Sequence, residues 1–270
     1  MLLNGQPASE INLLDRGLAY GDGLFETMLI HQHKVVFLAE HLTRLQRGCE
    51  QLGMELDQAA LDAELALMLA SSTASSGVLK VMVTRHAGGR GYRPGAATCN
   101  RILTLHPAPD YRDSHPEQGI AMFVCRQRLS RQPALAGLKH LNRLEQVLAS
   151  REWPDESCME GLMLDTEGLV IEGTRSNLFA VIKGKLLTPD LSLSGVAGVM
   201  RNVLLENFGA AVTVSALTLE QVLQAEEIFV CNSINGIWPV LSLQTPDETW
   251  HFTSGHRARQ AQACFVEALV

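Results

Sequence analysis

"GVLKVMVTRHAGGRGYRPG", residues 77–95, alternates and then breaks into glycine. Leu79, Val81 and Val83 fall on one face of an extended segment, which predicts a strand, and Gly88, Gly89, Gly91 and Gly95 then make a loop. "RILTLHP" (101–107) resumes as a strand. Upstream, Leu38, Leu42, Leu45, Cys49 and Leu52 recur at steps of three and four, the stripe of an amphipathic helix. A second helix is expected over about 58–70. Strands, two helices and strands again predict an α+β domain over residues 1–107.

"PAPDYRDSHPEQG" (107–119) combines three prolines with charge and few apolar residues, so 108–118 reads as a connector and 119–270 as a second domain. There "IAMFVCRQRL" is a strand, "GLMLDTEGLVIEG" a hairpin around Thr166–Gly168, and "NLFAVIKGKLLTP" a hairpin around Gly184. "GVMRNVLLENFG" predicts a short helix stopped by Gly209. Thr218 and Gln221 stand at capping-box spacing, "EIFVCNS" is a buried strand entering a polar turn, and 254–268 is expected to be helical.

The 270 residues are 46% apolar and 19% charged, ample for one large core or two ordinary ones. A formal net charge of -7 argues against a nucleic-acid partner, which needs clustered positive charge. There is no run of eighteen apolar residues, hence no expected membrane helix, and the first residues lack the basic start of a secretory signal. Six cysteines are scattered without a CxxC, the usage of reduced thiols, so a cytoplasmic protein is expected. Phosphate-loop, dinucleotide-binding and nucleophile-elbow motifs are missing. His31, His33 and His41 straddle a turn without an HExxH or an acidic cluster, so no metal site is expected.

Five lysines stand against seventeen arginines, so each can be weighed. Lys34, Lys183 and Lys185 sit at turns. Lys80 lies on the strand face opposite Leu79 and Val81, where it is partly shielded. Lys139, in "ALAGLKHLNRLEQ", precedes Leu141, Leu144, Val147 and Leu148, which have helical spacing. An amine at a helix start is usually a solvated charge; a partly desolvated one is a nucleophile or base. Spacing does not choose between these.

Three further stretches hold candidates. Arg44 stands beside the apolar stripe of its helix, either packing its stem or aiming its guanidinium at an anion. Glu172, in "LVIEGTRSNLFAV", lies between apolar runs and needs a cationic partner if it turns inward. "GVAGVMRN" enters a helix whose first N–H groups would welcome an anion, and "CNSIN" offers Ser233 in a turn.

In order along nearly the whole chain, "DRGLAYGDGLFET", "HLTRLQ", "GVLKVMVTR", "GGRGY", "LAGLKHLNRLEQVLA", "SNLFAV", "GVMR" and "EIFVCNS" resemble the fold-type IV pyridoxal-phosphate enzymes. These comprise branched-chain and D-amino acid aminotransferases and aminodeoxychorismate lyases. The resemblance implies a small N-terminal α/β sandwich, a larger C-terminal pseudo-barrel α/β domain, and a homodimer with active sites between domains and near the subunit interface. It implies that Lys139 holds pyridoxal 5'-phosphate as a Schiff base, which an always-charged arginine cannot do. Glu172 would face the pyridine nitrogen, and Arg44, the amides of Val199 and Met200, and Ser233 would hold the phosphate. Thr27, Arg90 and Tyr92 would be substrate contacts.

"GGRGY" with "LAGLKHLNRLEQV" is most like the lyase branch, which makes 4-aminobenzoate and pyruvate for folate synthesis. Aminotransferases of the family usually carry a tyrosine a few residues after the lysine. Here His140, Leu141, Asn142, Arg143 and Leu144 follow, which favours the lyase and leaves open what hydrogen-bonds the cofactor's phenolic oxygen. An aminotransferase for branched-chain or D-amino acids is the alternative on the same scaffold. A non-catalytic homologue is the reading from another class.

Overall fold

A computed structural model describes residues 1–71, 75–87, 91–95, 97–109 and 118–269. The chain divides into two compact units, Met1–Pro109 with Leu138–Asn142, and Asp110–Gly137 with Arg143–Val270. Of the expected connector 108–118, residues 110–117 lie outside the described residues.

The first unit is an antiparallel sheet of β1 (Leu2–Leu3), β2 (Gln6–Pro7), β3 (Gly23–His31), β4 (Lys34–Val35), β5 (Ser76–Arg85) and β6 (Cys99–His106). Their order is β2-β1-β6-β5-β3-β4. A short helix α1 (Arg16–Tyr20) precedes β3, and α2 (Leu38–Leu52) and α3 (Gln58–Ser71) follow β4. The alternation read from β5 has its physical cause here: Leu79, Val81 and Val83 are fully buried on one sheet face, with Leu24, Met28 and Leu103 beside them. Helix α2 meets that face through His41, Leu45, Gly48 and Cys49, so the buried line runs one step aside from the apolar stripe and includes a histidine. Helix α3 is tied to it by the Glu64–Arg101 ion pair at 2.8 Å. The other face bears Phe25, Thr27, Lys80, Met82 and Ile102, all half-buried.

The second unit holds β7 (Ile120–Leu129), β8 (Cys158–Asp165), β9 (Leu169–Gly173), β10 (Asn177–Ile182), β11 (Lys185–Pro189), β12 (Val212–Ser215), β13 (Leu217–Thr218), β14 (Glu227–Asn232), β15 (Gly236–Gln244) and β16 (Thr249–His251). They form one mixed sheet, β12-β11-β10-β14-β15-β7-β8-β9-β13, with β16 on β15. It curls toward closure, for β9 also lies against β10 and β11. Parallel pairs join β7 to β8 and to β15, and β11 to β12. Both expected hairpins are present, β8–β9 and β10–β11.

Inside the curl pack Met122, Leu162, Leu178, Ile228, Val230 and Val240. On the other face Phe179 and Phe229, cross-strand partners, stack at 5.1 Å. The helices are α4 (Leu144–Ser150), α5 (Val199–Phe208), α6 (Leu219–Leu223) and α7 (His256–Glu267). Thr218 and Gln221 make the capping box of α6. The start of α7 is capped from a distance: buried Glu227 accepts the Ala258 amide at 2.6 Å and the Arg257 amide at 3.2 Å. No helix among the described residues is long and apolar enough to cross a membrane.

The stretch after Lys139 differs from its expected form. The helix starts only at Leu144, and Leu144, Val147 and Leu148 are 75, 53 and 46% exposed, while Gln146 and Ala149 face inward. Helical spacing of apolar residues was real, but it marks an outward face.

Candidate active site

Residues 139–141 are extended, not helical. The Phe25 amide donates to the Lys139 carbonyl at 2.9 Å, the Leu141 amide to the Gly23 carbonyl at 3.0 Å, and His140 bridges Leu24. This short addition to β3 fixes the backbone on both sides of the lysine. Before it, Gly137 has φ +80, a conformation that side chains with Cβ resist, and exchanges backbone bonds with Gly195 and Ala197. The half-buried Lys139 holds its ammonium nitrogen 4.4 Å from the Phe25 ring centre, a cation–π contact that keeps the amine on the sheet face opposite Glu26.

On the helix-covered face, Glu26 sits between Leu24 and Met28 and is 1% exposed. Arg44 grips it with a two-point fork, and the His41 Nδ1 lies 2.6 Å from Oε2. Burial alone would raise the Glu26 carboxyl, but Arg44 and His41 outweigh it and hold it at about 2. Burial pulls His41 down, so the ring is neutral near pH 7 and Nδ1–H donates. Its Nε2 is then a buried acceptor with no partner among the described residues. Sequence reading weighed His41 only as a metal candidate and missed Glu26. The signal was present, since the alternation Leu24, Glu26, Met28, Ile30 puts a carboxylate on an apolar face.

The glycine-rich loop is anchored by residues whose spacing marks no role. Buried Arg16 donates from Nη1 to the Gly91 carbonyl and from Nη2 to the Tyr92 carbonyl, each at 2.9 Å. Its Nε bonds Asp22 at 2.9 Å, and Arg85 reaches the same carboxylate oxygen at 2.9 Å. Tyr20 packs edge-on against Tyr92. Tyr92 itself is 86% exposed. Arg90 lies outside the described residues. Thr27 is half-buried on β3, two residues beyond Phe25 and on the same face.

In the second unit, Glu172 on β9 turns inward and is 4% exposed. The Val196 amide donates to its Oε2 at 2.8 Å. Two buried guanidiniums feel its charge: burial pulls Arg143 and Arg201 down, and Glu172 is among the groups that push each back up. Arg143 was passed over because nothing in its own spacing marks it.

Helix α5 begins with Val199 and Met200, both buried, after Gly198, and no side chain caps it. Its first amides therefore have no intrahelical acceptor and carry the positive end of the helix dipole. A Cβ on Gly198 would fall 1.9 Å from Asn177 Oδ1, so only glycine lets the helix start lie that close to β10. Asn177 pairs with Cys231, and the turn that follows β14 carries Ser233, 9% exposed. There Asn232 Oδ1 accepts the Ile234 and Asn235 amides at 3.0 and 2.7 Å. Helix start and turn thus share one end of the sheet. A buried acid, uncapped helix amides and a turn hydroxyl within one unit suit a ligand with an anionic group at one end and a protonated nitrogen.

The amino-transferase class IV family model matches residues 23–243. The aminodeoxychorismate lyase of Vibrio harveyi is 35% identical over 265 residues, covering 96% of this chain and 97% of that protein. A putative branched-chain-amino-acid aminotransferase of Methanocaldococcus jannaschii is 30% identical, covering 89% and 86%. The crystal structure of 4-amino-4-deoxychorismate lyase from Pseudomonas aeruginosa matches with a TM-score of 0.92 and 46% identity over 98% of each chain.

Proposed function

Since the chain belongs to the amino-transferase class IV family, we propose that it is a lyase dependent on pyridoxal 5'-phosphate. It converts 4-amino-4-deoxychorismate to 4-aminobenzoate and pyruvate, a step of cytoplasmic folate synthesis. The observation that carries this reading is the end-to-end likeness, at 46% identity, to a protein of that activity. The donor set fits the cofactor: an inward carboxylate on Glu172, uncapped amides at Val199 and Met200, and the Ser233 hydroxyl.

In this reading Lys139 anchors the cofactor through its Nζ, Glu172 holds a proton on the pyridine nitrogen, and Val199, Met200, Ser233 and Arg44 bind the phosphate. The cofactor, when bound, supplies an electron sink. Glu172 suits its task because it is buried near the Arg143 guanidinium and oriented by the Val196 amide. The Lys139 amine would take the proton from the substrate carbon that bears the amino group. The neighbouring C–O bond would break, the side chain would leave as the enolate and become pyruvate by gaining a proton at its methylene carbon, which balances the one taken by Lys139, and the ring would become aromatic. Thr27, Arg90 and Tyr92 contact substrate. The outward apolar face of α4, with Leu144, Val147 and Leu148, supports a homodimer, which sedimentation would test.

The direct test is fluorescence of 4-aminobenzoate formed from 4-amino-4-deoxychorismate, run beside Lys139→Ala. Product from the parent and none from the variant is expected; a silent parent overturns the reading. The aminotransferase alternative draws on the 30% identity to the Methanocaldococcus jannaschii protein. Alanine or glutamate would then convert the bound cofactor to its amine form, seen as a loss of visible absorbance.

A further inference from the structure

Glu160 on β8 is a carboxylate that the proposed reaction does not use, yet it is only 1% exposed. It is turned onto the segment between β9 and β10. Its Oε1 accepts the Gly161 amide at 2.9 Å, the Thr174 amide at 2.9 Å and the Thr174 hydroxyl at 2.5 Å. Its Oε2 accepts the Ser176 hydroxyl at 2.7 Å, with Arg175 Nε at 3.9 Å. An acceptor-only group can draw the amides and hydroxyls of one turn to a single point. The turn folds closely over it. The Gly173 amide donates to the Ser176 carbonyl at 2.7 Å, and a Cβ on Gly173 would lie 2.3 Å from Ser176 Oγ and 2.9 Å from Glu160 Cδ.

This turn adjoins each segment to which a cofactor ligand of the second unit is assigned. Glu172 is the residue just before it. Asn177 is the residue just after it, and its Nδ2 donates to the Val196 carbonyl at 2.9 Å while the Val196 amide holds Glu172. The Asn177 Oδ1 is also the atom that a Cβ on Gly198, at the start of α5, would strike. In the middle of the turn, the Arg175 carbonyl accepts Asn232 Nδ2 at 3.2 Å. Asn232 Oδ1 in turn orders the Ile234 and Asn235 amides around Ser233. Glu160 therefore stands behind the acid, the helix start and the hydroxyl turn without being any of them.

We propose that Glu160 is a positioning residue: it fixes the 173–176 turn, and through it the separation between the Glu172 carboxylate and the groups that take the phosphate. Pyridoxal phosphate is nearly rigid from ring nitrogen to phosphate, so its two anchoring points must stand a set distance apart. This rests on the assignment of Glu172, Val199, Met200 and Ser233 to that cofactor.

The test compares Glu160→Ala, Glu160→Gln and Thr174→Val in the holoenzyme. The Kd for pyridoxal phosphate is followed by visible absorbance on dilution, kcat is measured with cofactor in excess, and urea midpoints report the fold. In Glu160→Ala the Kd should rise and kcat should fall, each about tenfold to a hundredfold, the range that a displaced site residue costs. Glu160→Gln keeps an acceptor for the Thr174 amide and should recover most of both losses. Thr174→Val removes one hydroxyl and keeps the shape, so the Kd should rise about threefold to tenfold. Added to Glu172→Gln, Glu160→Ala should lower kcat by less than about threefold more, because the residue it acts through has already lost its charge. A role in folding alone would lower the urea midpoint of Glu160→Ala and leave Kd and kcat at the parent's values wherever the variant is folded; that result overturns the proposal. So does a full, independent loss of kcat in the double variant or, where Glu160→Ala does not fold, an unchanged Kd in Thr174→Val. A parent that binds no pyridoxal phosphate overturns the reading beneath it, whatever the variants do.

Discussion

Glu26 and Arg44 hold each other through two parallel bonds, Nε to Oε1 at 2.7 Å and Nη2 to Oε2 at 2.5 Å, with the acid 1% and the guanidinium 13% exposed. Such a pair contributes little net stability over an apolar substitute, yet breaking it strands a charge. Glu26→Gln keeps the shape and removes the charge. It should cost about 3–5 kcal/mol in urea unfolding. A loss below about 1 kcal/mol would mean that the fork carries no such strain.

Acid should weaken the fold in two steps. His41 is held below its usual 6.5 by burial, with Arg44 and Lys139 adding to the pull and Glu26 opposing it. Its unfolded form therefore takes a proton first, and stability falls as pH drops below 6.5. Glu26 titrates at about 2 folded against 4.5 unfolded, so a second loss runs from about 4.5 down toward 2. Urea midpoints at three pH values check the direction; stability that is flat or rising from pH 7 to 5 contradicts it. His41→Gln should flatten the first step.

Period-two and period-3.6 patterns found β5, α2 and both hairpins because each has one buried face that dictates residue type. They could not assemble the Glu26 cluster, whose partners lie 15 and 18 residues away on another element. They also misjudged the run after Lys139, because periodicity reports that a helix has an apolar side and is silent on what that side meets. Lys139 itself was legible only by family resemblance. Its neighbours predicted a helix start, whereas pairing with Gly23 and Phe25 draws the segment into extended backbone. Arg16 shows the same limit: its acceptors are backbone carbonyls 75 and 76 positions on, which no side-chain pattern encodes.

Gly198 has φ -65 and ψ 141, angles any residue adopts, so the need for glycine there is steric alone. Its missing Cβ would collide with Asn177 Oδ1, while Asn177 Nδ2 donates to the Val196 carbonyl at 2.9 Å. Gly198→Ala should cost about 1–3 kcal/mol, the usual range for overpacking. It should also weaken retention of pyridoxal phosphate, followed by absorbance on dilution. Adding Asn177→Ala removes the obstacle, and the pair should lose less than the two single losses combined. Full additivity would refute the collision as the cause.

Glu172 separates charge from hydrogen bonding. Its Oε2 accepts the Val196 amide at 2.8 Å in a site only 4% exposed, and the Arg143 and Arg201 guanidiniums oppose its charge. Glu172→Gln retains an oxygen for that amide but has no negative charge to keep a ring nitrogen protonated. Glu172→Ala removes both and leaves the Val196 N–H without its acceptor, at about 1–3 kcal/mol. In the lyase reading, therefore, Gln should lower kcat about a hundredfold or more while leaving the urea midpoint near the parent's, since a catalytic proton donor or acceptor is typically worth that much. Ala should lower both. If Gln retains full activity, the carboxylate is there to hold Val196 and the loop before α5, and the ring-nitrogen role falls even though the fold around it stands.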